Sequence, residues 1–154
     1  MTGTERLSEL ADGRNPLLVA RLKSGFAVMA DSQYLPGYCL LLAYPEANHL
    51  TDLSQSLRAQ YLLDMSHLGE AVMEATNCLR VNYSILGNLD PFLHAHVWPR
   101  YSWEDDQYRL SPPTDYPPEY RDALKHGYDP EKHDGLRQKI AQHLQMLSGG
   151  DLAP

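Results

Sequence analysis

The sequence has few cysteines and no long apolar run. Its 154 residues include only two cysteines, Cys39 and Cys78, which form neither a disulfide framework nor a metal-ligand spacing. No stretch approaches the roughly 18 apolar residues that span a membrane, and residues 1–7 lack the basic start and apolar core of a signal peptide. We therefore expect a soluble, cytoplasmic protein without a membrane partner.

Positive charge is also scarce. Thirteen Lys and Arg stand against 20 Asp and Glu, and the formal net charge is −7. Such a chain has no general attraction for a phosphate polymer, so a nucleic acid is not an expected partner. A small nucleotide held by a few local groups is not excluded. At this length we expect one ordinary core that buries roughly 70% of the unfolded surface.

The most informative segment is residues 92–100, which read Phe-Leu-His-Ala-His-Val-Trp-Pro-Arg. In an extended strand, alternate side chains point to opposite faces. The ring-bearing side chains would therefore share one face and the aliphatic side chains the other, as Phe92, His94, His96 and Trp98 against Leu93, Ala95 and Val97. The pattern predicts two imidazoles side by side in a cleft, above an apolar core.

Paired imidazoles have three interpretations. A neutral imidazole is a good nucleophile near pH 7, and a second one can bind a phosphate oxygen or assist a leaving group. His94 and His96 could instead chelate a metal ion, which would need a third ligand that the sequence does not supply convincingly. The third interpretation is two strand histidines without a shared task.

Residues 92–100 resemble the signature of the histidine triad superfamily of nucleotide hydrolases and transferases, which is His-x-His-x-His, two apolar residues and often Pro-Arg. Residues 35–42 are similar to the Pro-Gly-His strand of that family. Residues 82–88 resemble the strand and turn before the triad in its bacterial, diadenosine-tetraphosphate-hydrolase-like branch. The resemblance covers about residues 15–103.

The resemblance implies a covalent mechanism without a metal or other cofactor. His94 would attack the α-phosphorus of a small nucleotide, such as a dinucleoside polyphosphate or a nucleoside phosphoramidate, and water would resolve the nucleotidyl-histidine. His96, the third histidine of the pattern, would orient the phosphate or donate a proton. The resemblance also implies a homodimer, and the apolar stripe of the last helix is compatible with one.

Two positions depart from the family pattern. If Pro99-Arg100 sets the register, the first triad histidine falls on Phe92, and the histidine of Pro-Gly-His falls on Tyr38. Phe92 cannot form a side-chain hydrogen bond, and the Tyr38 phenol does not ionise near pH 7. We therefore expect weak turnover by a hydrolase. The alternative is a nucleotide-binding or regulatory protein that has lost catalysis.

Six further residues are candidates for substrate binding. The Asn88 amide could donate to a phosphate, although an Asn in this turn also has backbone uses. The family's ribose-binding position falls on Ala30, which cannot serve, so Asp31 or Gln33 is expected to replace it.

Tyr38 offers a hydroxyl. The remaining two have more common fates than substrate binding: Trp98 could stack on a base but more often packs, and Arg100 could bind phosphate but more often pairs with a carboxylate such as Asp90.

The pattern of apolar residues predicts an α+β fold with a five-stranded, mainly antiparallel sheet and a long helix on one face. The strands are expected at residues 17–22, 26–30, 36–44, 80–86 and 92–98. Helices are expected at residues 4–12, at 54–76 with Ser54 as N-cap, and from 130 to just before Gly149. We assign residues 1–110 to a histidine-triad-like domain. Residues 111–154 form an irregular, Pro- and Tyr-rich arm and a final helix, packed on the same domain.

Overall fold

The computed structural model describes residues 3–148 and 151–152. Its sheet has the strand order β4-β5-β3-β2-β1-β6, and neighbouring strands are antiparallel. The strands are β1 (Leu18–Arg21), β2 (Gly25–Met29), β3 (Cys39–Ala43), β4 (Arg80–Ser84), β5 (His94–Arg100) and β6 (Asp151–Leu152). The expected α+β fold with five strands is confirmed, and a two-residue sixth strand extends the sheet beyond β1.

Strand β5 begins two residues later than the sequence pattern predicts. The N–H of Phe92 donates to the Asp90 carbonyl in the preceding turn at 2.9 Å, so Phe92 does not join the ladder. The strand then continues through Pro99 to Arg100, opposite Val81 and Arg80 of the edge strand β4. Strand β5 therefore lies second from the edge, between β4 and β3.

Two long helices cover one face of the sheet, and four short ones lie elsewhere. They are α1 (Gly3–Ala11), α2 (Gln55–Thr76), α3 (Asp106–Arg109), α4 (Pro118–Arg121), α5 (Ala123–His126) and α6 (Pro130–Ser148), with 3-10 turns at Leu50–Asp52 and Pro113–Asp115. Ser54 caps α2 as expected, since its Oγ accepts from the Leu57 N–H at 3.3 Å. Leu57 itself, in the first turn, is exposed, unlike the buried Tyr61, Leu68 and Val72.

Helix α6 packs on α2 and β1 of its own chain. Ile140 and Leu144, the centre of its apolar stripe, are fully buried there. The chain therefore covers the centre of this stripe itself, and the stripe gives no support for a homodimer. Among the described residues, no helix is both long enough and apolar enough to cross a bilayer.

The other face of the sheet is covered at two places. Helix α1 packs its Leu7 and Leu10 on Phe26, Leu42 and Phe92. Residues 101–129, which include the start of the predicted arm at residue 111 and are called the arm from here on, place Tyr116 in a second cluster with Leu35 and Trp98. His94 and His96 lie on β5 between Phe92 and Trp98, so the two coverings flank the histidines.

Candidate active site between helix α1 and the arm

Strand β5 sorts its side chains as its alternation predicts. Leu93, Ala95 and Val97 are buried in the core under α2, whereas His94 and His96 are half-buried on the opposite face. His96 lies opposite Leu40 of β3 and Ser84 of β4, and His94 lies opposite Leu42 of β3. The ring centroids of the two imidazoles are 5.0 Å apart. Both rings are thus close enough to contact one small ligand.

A backbone carbonyl orients the ring of His94. Its Nδ1 lies 2.7 Å from the carbonyl oxygen of Phe92, which can only accept, so Nδ1 carries the proton. The lone pair of the neutral ring is then on Nε2, which has no hydrogen-bond partner among the described residues. The Phe92 ring stacks on the imidazole with centroids 4.8 Å apart. His94 therefore presents an unoccupied, oriented nitrogen lone pair.

Tyr38 orients His96 in the opposite sense. The Tyr38 hydroxyl lies 2.6 Å from His96 Nδ1, and within residues 3–148 it has no other hydrogen-bond partner. A phenol that donates to Nδ1 leaves the proton of the neutral imidazole on Nε2. Burial raises the pKa of Tyr38, so the phenol keeps its proton. Burial, together with the neighbouring His94, lowers the pKa of His96 to about 4, so His96 is a neutral N–H donor near pH 7.

The turn that carries Tyr38 depends on Gln33. The Gln33 amide is buried and donates to the carbonyls of Ala30 and Tyr38, each at 2.9 Å. Its oxygen accepts from the N–H of Gly37, whose φ of 100° lies in the left-handed region that glycine favours. The expectation that Gln33 binds a ribose is therefore wrong, because its polar atoms already hold the loop.

A cavity of about 510 Å³ opens beside the two histidines, with walls from β3, β5, the turn 86–90 and the arm. Asn88 lies on this cavity, and its exposed side chain forms no hydrogen bond within the described part of the chain. Asp31 also lines it; its carboxylate pairs with Arg6 at 2.8 Å. A second cavity of about 210 Å³ continues past His94 toward α1. The structure thus brings Asn88, Asp31, Tyr38 and both histidines together.

Arg100 does not reach this cavity with a free donor. Its guanidinium pairs with Glu104 at 3.0 Å and donates to the Asn82 side chain and to the carbonyls of Tyr108 and Ser111. Side-chain exposure is 5% for Arg100 and 0% for Glu104. Arg100 is therefore a structural residue, and its carboxylate partner is Glu104, not Asp90.

Trp98 packs in the wall of the cavity. It is only 3% exposed and stacks on His96 and on Tyr38, with centroid distances of 4.8 and 5.0 Å. This burial leaves Trp98 no free face for a base. A larger cavity of about 820 Å³ lies along β4 and the arm, but neither histidine lines it.

Two arginines that the sequence pattern did not single out line the cavities beside the histidines. Arg6 comes from α1, and Arg121 comes from the arm, where its Nε donates to the Tyr116 carbonyl at 3.1 Å. Neither lies in a motif, and only the docking of α1 and the arm places them. Residues 3–148 and 151–152 contain no group of three or more His, Cys, Asp or Glu side chains arranged to hold a metal ion.

Comparison with known proteins gives a likeness in structure. No family model matches the sequence, and no curated protein matches it either. A histidine triad protein from Marinobacter aquaeolei superposes with a TM-score of 0.72 at 22% identity, over 93% of this chain and 95% of that one. One from Sinorhizobium meliloti gives 0.71 at 18% identity, over 90% and 93%. The chain has the histidine triad fold.

A more distant histidine triad structure agrees. It is described as a hypothetical histidine triad nucleotide-binding protein from Sulfolobus tokodaii, and it superposes with a TM-score of 0.68 at 13% identity. The match covers 92% of this chain and 91% of that one. At such identities, the likeness establishes the histidine triad fold and nothing about substrate or catalysis.

Proposed function

We propose that the protein is a nucleotide hydrolase or nucleotidyl transferase that works through a nucleotidyl-histidine at His94. The observation that carries the proposal is the hydrogen bond from His94 Nδ1 to the Phe92 carbonyl, which leaves Nε2 free beside the cavity. The substrate is a small nucleotide, either a dinucleoside polyphosphate or a nucleoside phosphoramidate. The cavity of about 510 Å³ lies within the range of ligand pockets, roughly 300–1,000 Å³.

The reaction has two displacements at phosphorus. The Nε2 lone pair of His94 forms a bond to the α-phosphorus in line with the leaving group, whose bond breaks and whose oxygen or nitrogen takes a proton from solvent. Water then attacks the phosphorus, the electron pair of the phosphorus–nitrogen bond returns to Nε2, and the water proton leaves to solvent. No step needs an oxidant or a reductant.

His96 and Asn88 stabilise the charge that develops on the phosphate. The neutral His96 ring offers its Nε2 proton, and the Asn88 amide offers two more donors. Because burial raises the pKa of Tyr38, its phenol does not give up a proton to replace one lost from His96. We therefore assign His96 a fixed donor role and not a proton relay. Asp31 is the candidate that accepts the ribose hydroxyls.

The second candidate is a nucleotide-binding protein without significant turnover. It is favoured by Phe92 and Tyr38, which replace two ionisable rings of the resembled family by groups that stay neutral. The same cavity would hold the nucleotide, and His94 would then serve as a contact only.

Single-turnover assays on diadenosine tetraphosphate and on adenosine phosphoramidate distinguish the two candidates. We expect His94→Ala to abolish hydrolysis and His96→Ala to leave measurable activity, because solvent can replace a donor more easily than a covalent nucleophile. A His49→Ala variant, altered at an exposed histidine that does not line the cavity, is the control. Full activity of His94→Ala would overturn the mechanism. Nucleotide binding by a wild type that forms no product supports the second candidate.

We also propose that the protein forms a homodimer, through the outer surface of α2 and the edge strand β4. Leu62, Leu63 and Met73 of α2 and Tyr83 of β4 are large, exposed and apolar. An unpaired strand edge beside such side chains favours association. Light scattering should give a mass twice that of the 17.4 kDa chain, and Leu63→Glu should reduce the measured mass to that of a single chain.

A further inference from the structure

Phe92 holds helix α1 against the sheet. Its ring is buried in one apolar cluster with Leu7 and Leu10 of α1. Gly3, the first residue of α1, lies directly on this ring, and a Cβ at Gly3 would be 2.8 Å from two ring carbons. The aromatic residue at the first triad position therefore fixes where α1 sits beside His94.

Helix α1 places a guanidinium at the histidines. Arg6 precedes the buried Leu7 and lines the cavity of about 210 Å³ with Phe92, His94 and His96. Its Nη2 contacts the Asp31 carboxylate at 2.8 Å, and its other donors have no partner among the described residues. Side-chain exposures of 22% for Arg6 and 52% for Asp31 leave both groups accessible to a ligand.

The ion pair alone does not account for this placement. An accessible pair of this kind stabilises a fold by about 0–1 kcal/mol. Helix α1 has other attachments, namely the apolar contacts of Leu7 and Leu10 and a hydrogen bond from Thr4 to Glu46 at 3.1 Å. Arg6 is thus not needed to hold α1, and its fork of donors matches the oxygens of a phosphate.

The site otherwise has little fixed positive charge for an anion. Asp31 and Asp90 line both cavities, and Arg121 lines only the larger one. His96 and Tyr38 are neutral donors. A phosphate held at His94 Nε2 would thus meet Arg6 as the cation on the α1 side.

We propose that Arg6 is a phosphate-binding residue of this site, and that it exchanges Asp31 for the nonbridging oxygens of a nucleotide. The released Asp31 carboxylate then accepts the ribose hydroxyls. The inference rests on the proposed function, because it assumes that a ribonucleotide occupies the cavity. It gives the chain a cation from α1 on the side where the first histidine of the triad is missing.

Titration calorimetry with adenosine, AMP and ADP tests the proposal. We expect Arg6→Ala to weaken AMP and ADP binding by roughly 10- to 100-fold, the range for a lost hydrogen bond to a charged group, and to leave adenosine binding unchanged. Arg6→Lys should recover part of the loss, since it keeps the charge without the fork. Arg14→Ala removes another exposed arginine, paired with Asp12 away from the histidines, and should bind as the wild type does.

Asp31→Asn tests whether Arg6 binds the nucleotide or only holds α1 in place, because it breaks the same ion pair by changing the other residue. We expect this variant to lose most of its preference for AMP over 2′-deoxy-AMP, and to keep the difference between AMP and adenosine binding that Arg6 supplies. If Arg6→Ala weakens adenosine binding as much as AMP binding, the ion pair only tethers α1 and the proposal is overturned. The same holds if Arg6→Ala binds AMP as tightly as the wild type.

The same titrations distinguish this inference from the proposed function. A wild type that binds AMP and turns over substrate while Arg6→Ala is unchanged contradicts the role of Arg6 alone. A wild type that binds neither AMP nor ADP, nor the corresponding guanosine nucleotides, contradicts the nucleotide site itself and the role of Arg6 with it.

Discussion

Helix α1 and the arm cover the two sides of the histidine pair with different chemistry. Helix α1 is attached mainly by apolar contacts around Phe92, and its polar contacts, Arg6 to Asp31 and Thr4 to Glu46, are accessible to solvent. The arm is attached through the buried Arg100–Glu104 pair. Apolar burial is non-directional, whereas hydrogen bonds require fixed angles. The arm is therefore held in one orientation, whereas the polar groups of α1 remain accessible to a ligand.

The Arg100 network is closed on all sides. Glu104 accepts from the Tyr116 hydroxyl and from the Tyr101 N–H, each at 2.6 Å, in addition to Arg100. Burial alone would raise the pKa of Glu104, but these hydrogen bonds hold it below its usual value. The stacked rings of Tyr108 and Tyr116, with centroids 4.6 Å apart, pack beside this network.

The largest expected effect compares the two arginines. Arg100→Ala should lower the free energy of unfolding by about 3–5 kcal/mol, because it leaves Glu104 buried without its partner. Arg6→Ala removes an accessible pair and should cost about 0–1 kcal/mol. Urea denaturation of both variants measures the difference. Equal losses of unfolding free energy would mean that α1 and the arm are held by interactions of similar strength.

Phe92→His tests whether the missing triad histidine can simply be restored. The new imidazole would replace a ring that is buried in an apolar cluster with Leu7 and Leu10, so we expect a loss of about 1–3 kcal/mol in unfolding free energy. Turnover should not rise, because the packing of α1 beside His94 would be disturbed. Phe92→Leu, which keeps the site apolar, is the matched control. A faster and equally stable Phe92→His protein would contradict this assignment.

Protonation of His96 should give an effect that is seen only at acidic pH. Its pKa is lowered to about 4 by burial and by His94, whereas an unfolded histidine titrates near 6.5. The unfolded chain therefore takes up the proton first as the pH falls. The contribution of His96 to the free energy of unfolding is fully present above pH 6.5 and is lost as the pH falls toward 4. Because at most one proton is taken up, the free energy of unfolding changes by at most about 1.4 kcal/mol per pH unit. Comparing urea denaturation of wild type and His96→Gln from pH 7.5 to 4.5 isolates the contribution of His96 from those of all other groups.

Tyr38→Phe should have the smallest effect. It deletes one hydrogen bond, worth about 0.5–1.5 kcal/mol, and keeps the ring against Trp98. We expect kcat/KM to fall by up to roughly tenfold, as that energy implies. Nitrogen-15 NMR should show His96 losing its single tautomer in the variant. An unchanged tautomer would mean that Tyr38 does not orient His96.

Several features were predictable from the sequence because they depend on neighbours along the chain. Period-two alternation in residues 92–98 placed His94 and His96 together on one face, and the residues of each element indicated the strands and the long helices. The N-cap of α2 at Ser54 was likewise readable. These features follow from backbone geometry, which fixes where side chains point relative to one another.

Long-range contacts decided the rest. Gln33 and Arg100 were predicted to bind substrate, yet Gln33 holds the Tyr38 turn and Arg100 pairs with Glu104. A sequence does not show which acceptors will lie near a buried donor, and a buried donor takes whatever partners folding supplies.

The sequence by itself determined the histidine face of β5 and the two replaced positions, Phe92 and Tyr38. Only the tertiary structure decided what those replacements do: Phe92 seats α1, Tyr38 orients His96, and Arg6 arrives beside His94. The physical reason is the range of the interactions. Alternation acts between residues two positions apart, whereas α1 lies more than 80 residues from β5 along the chain and meets it only when the core forms.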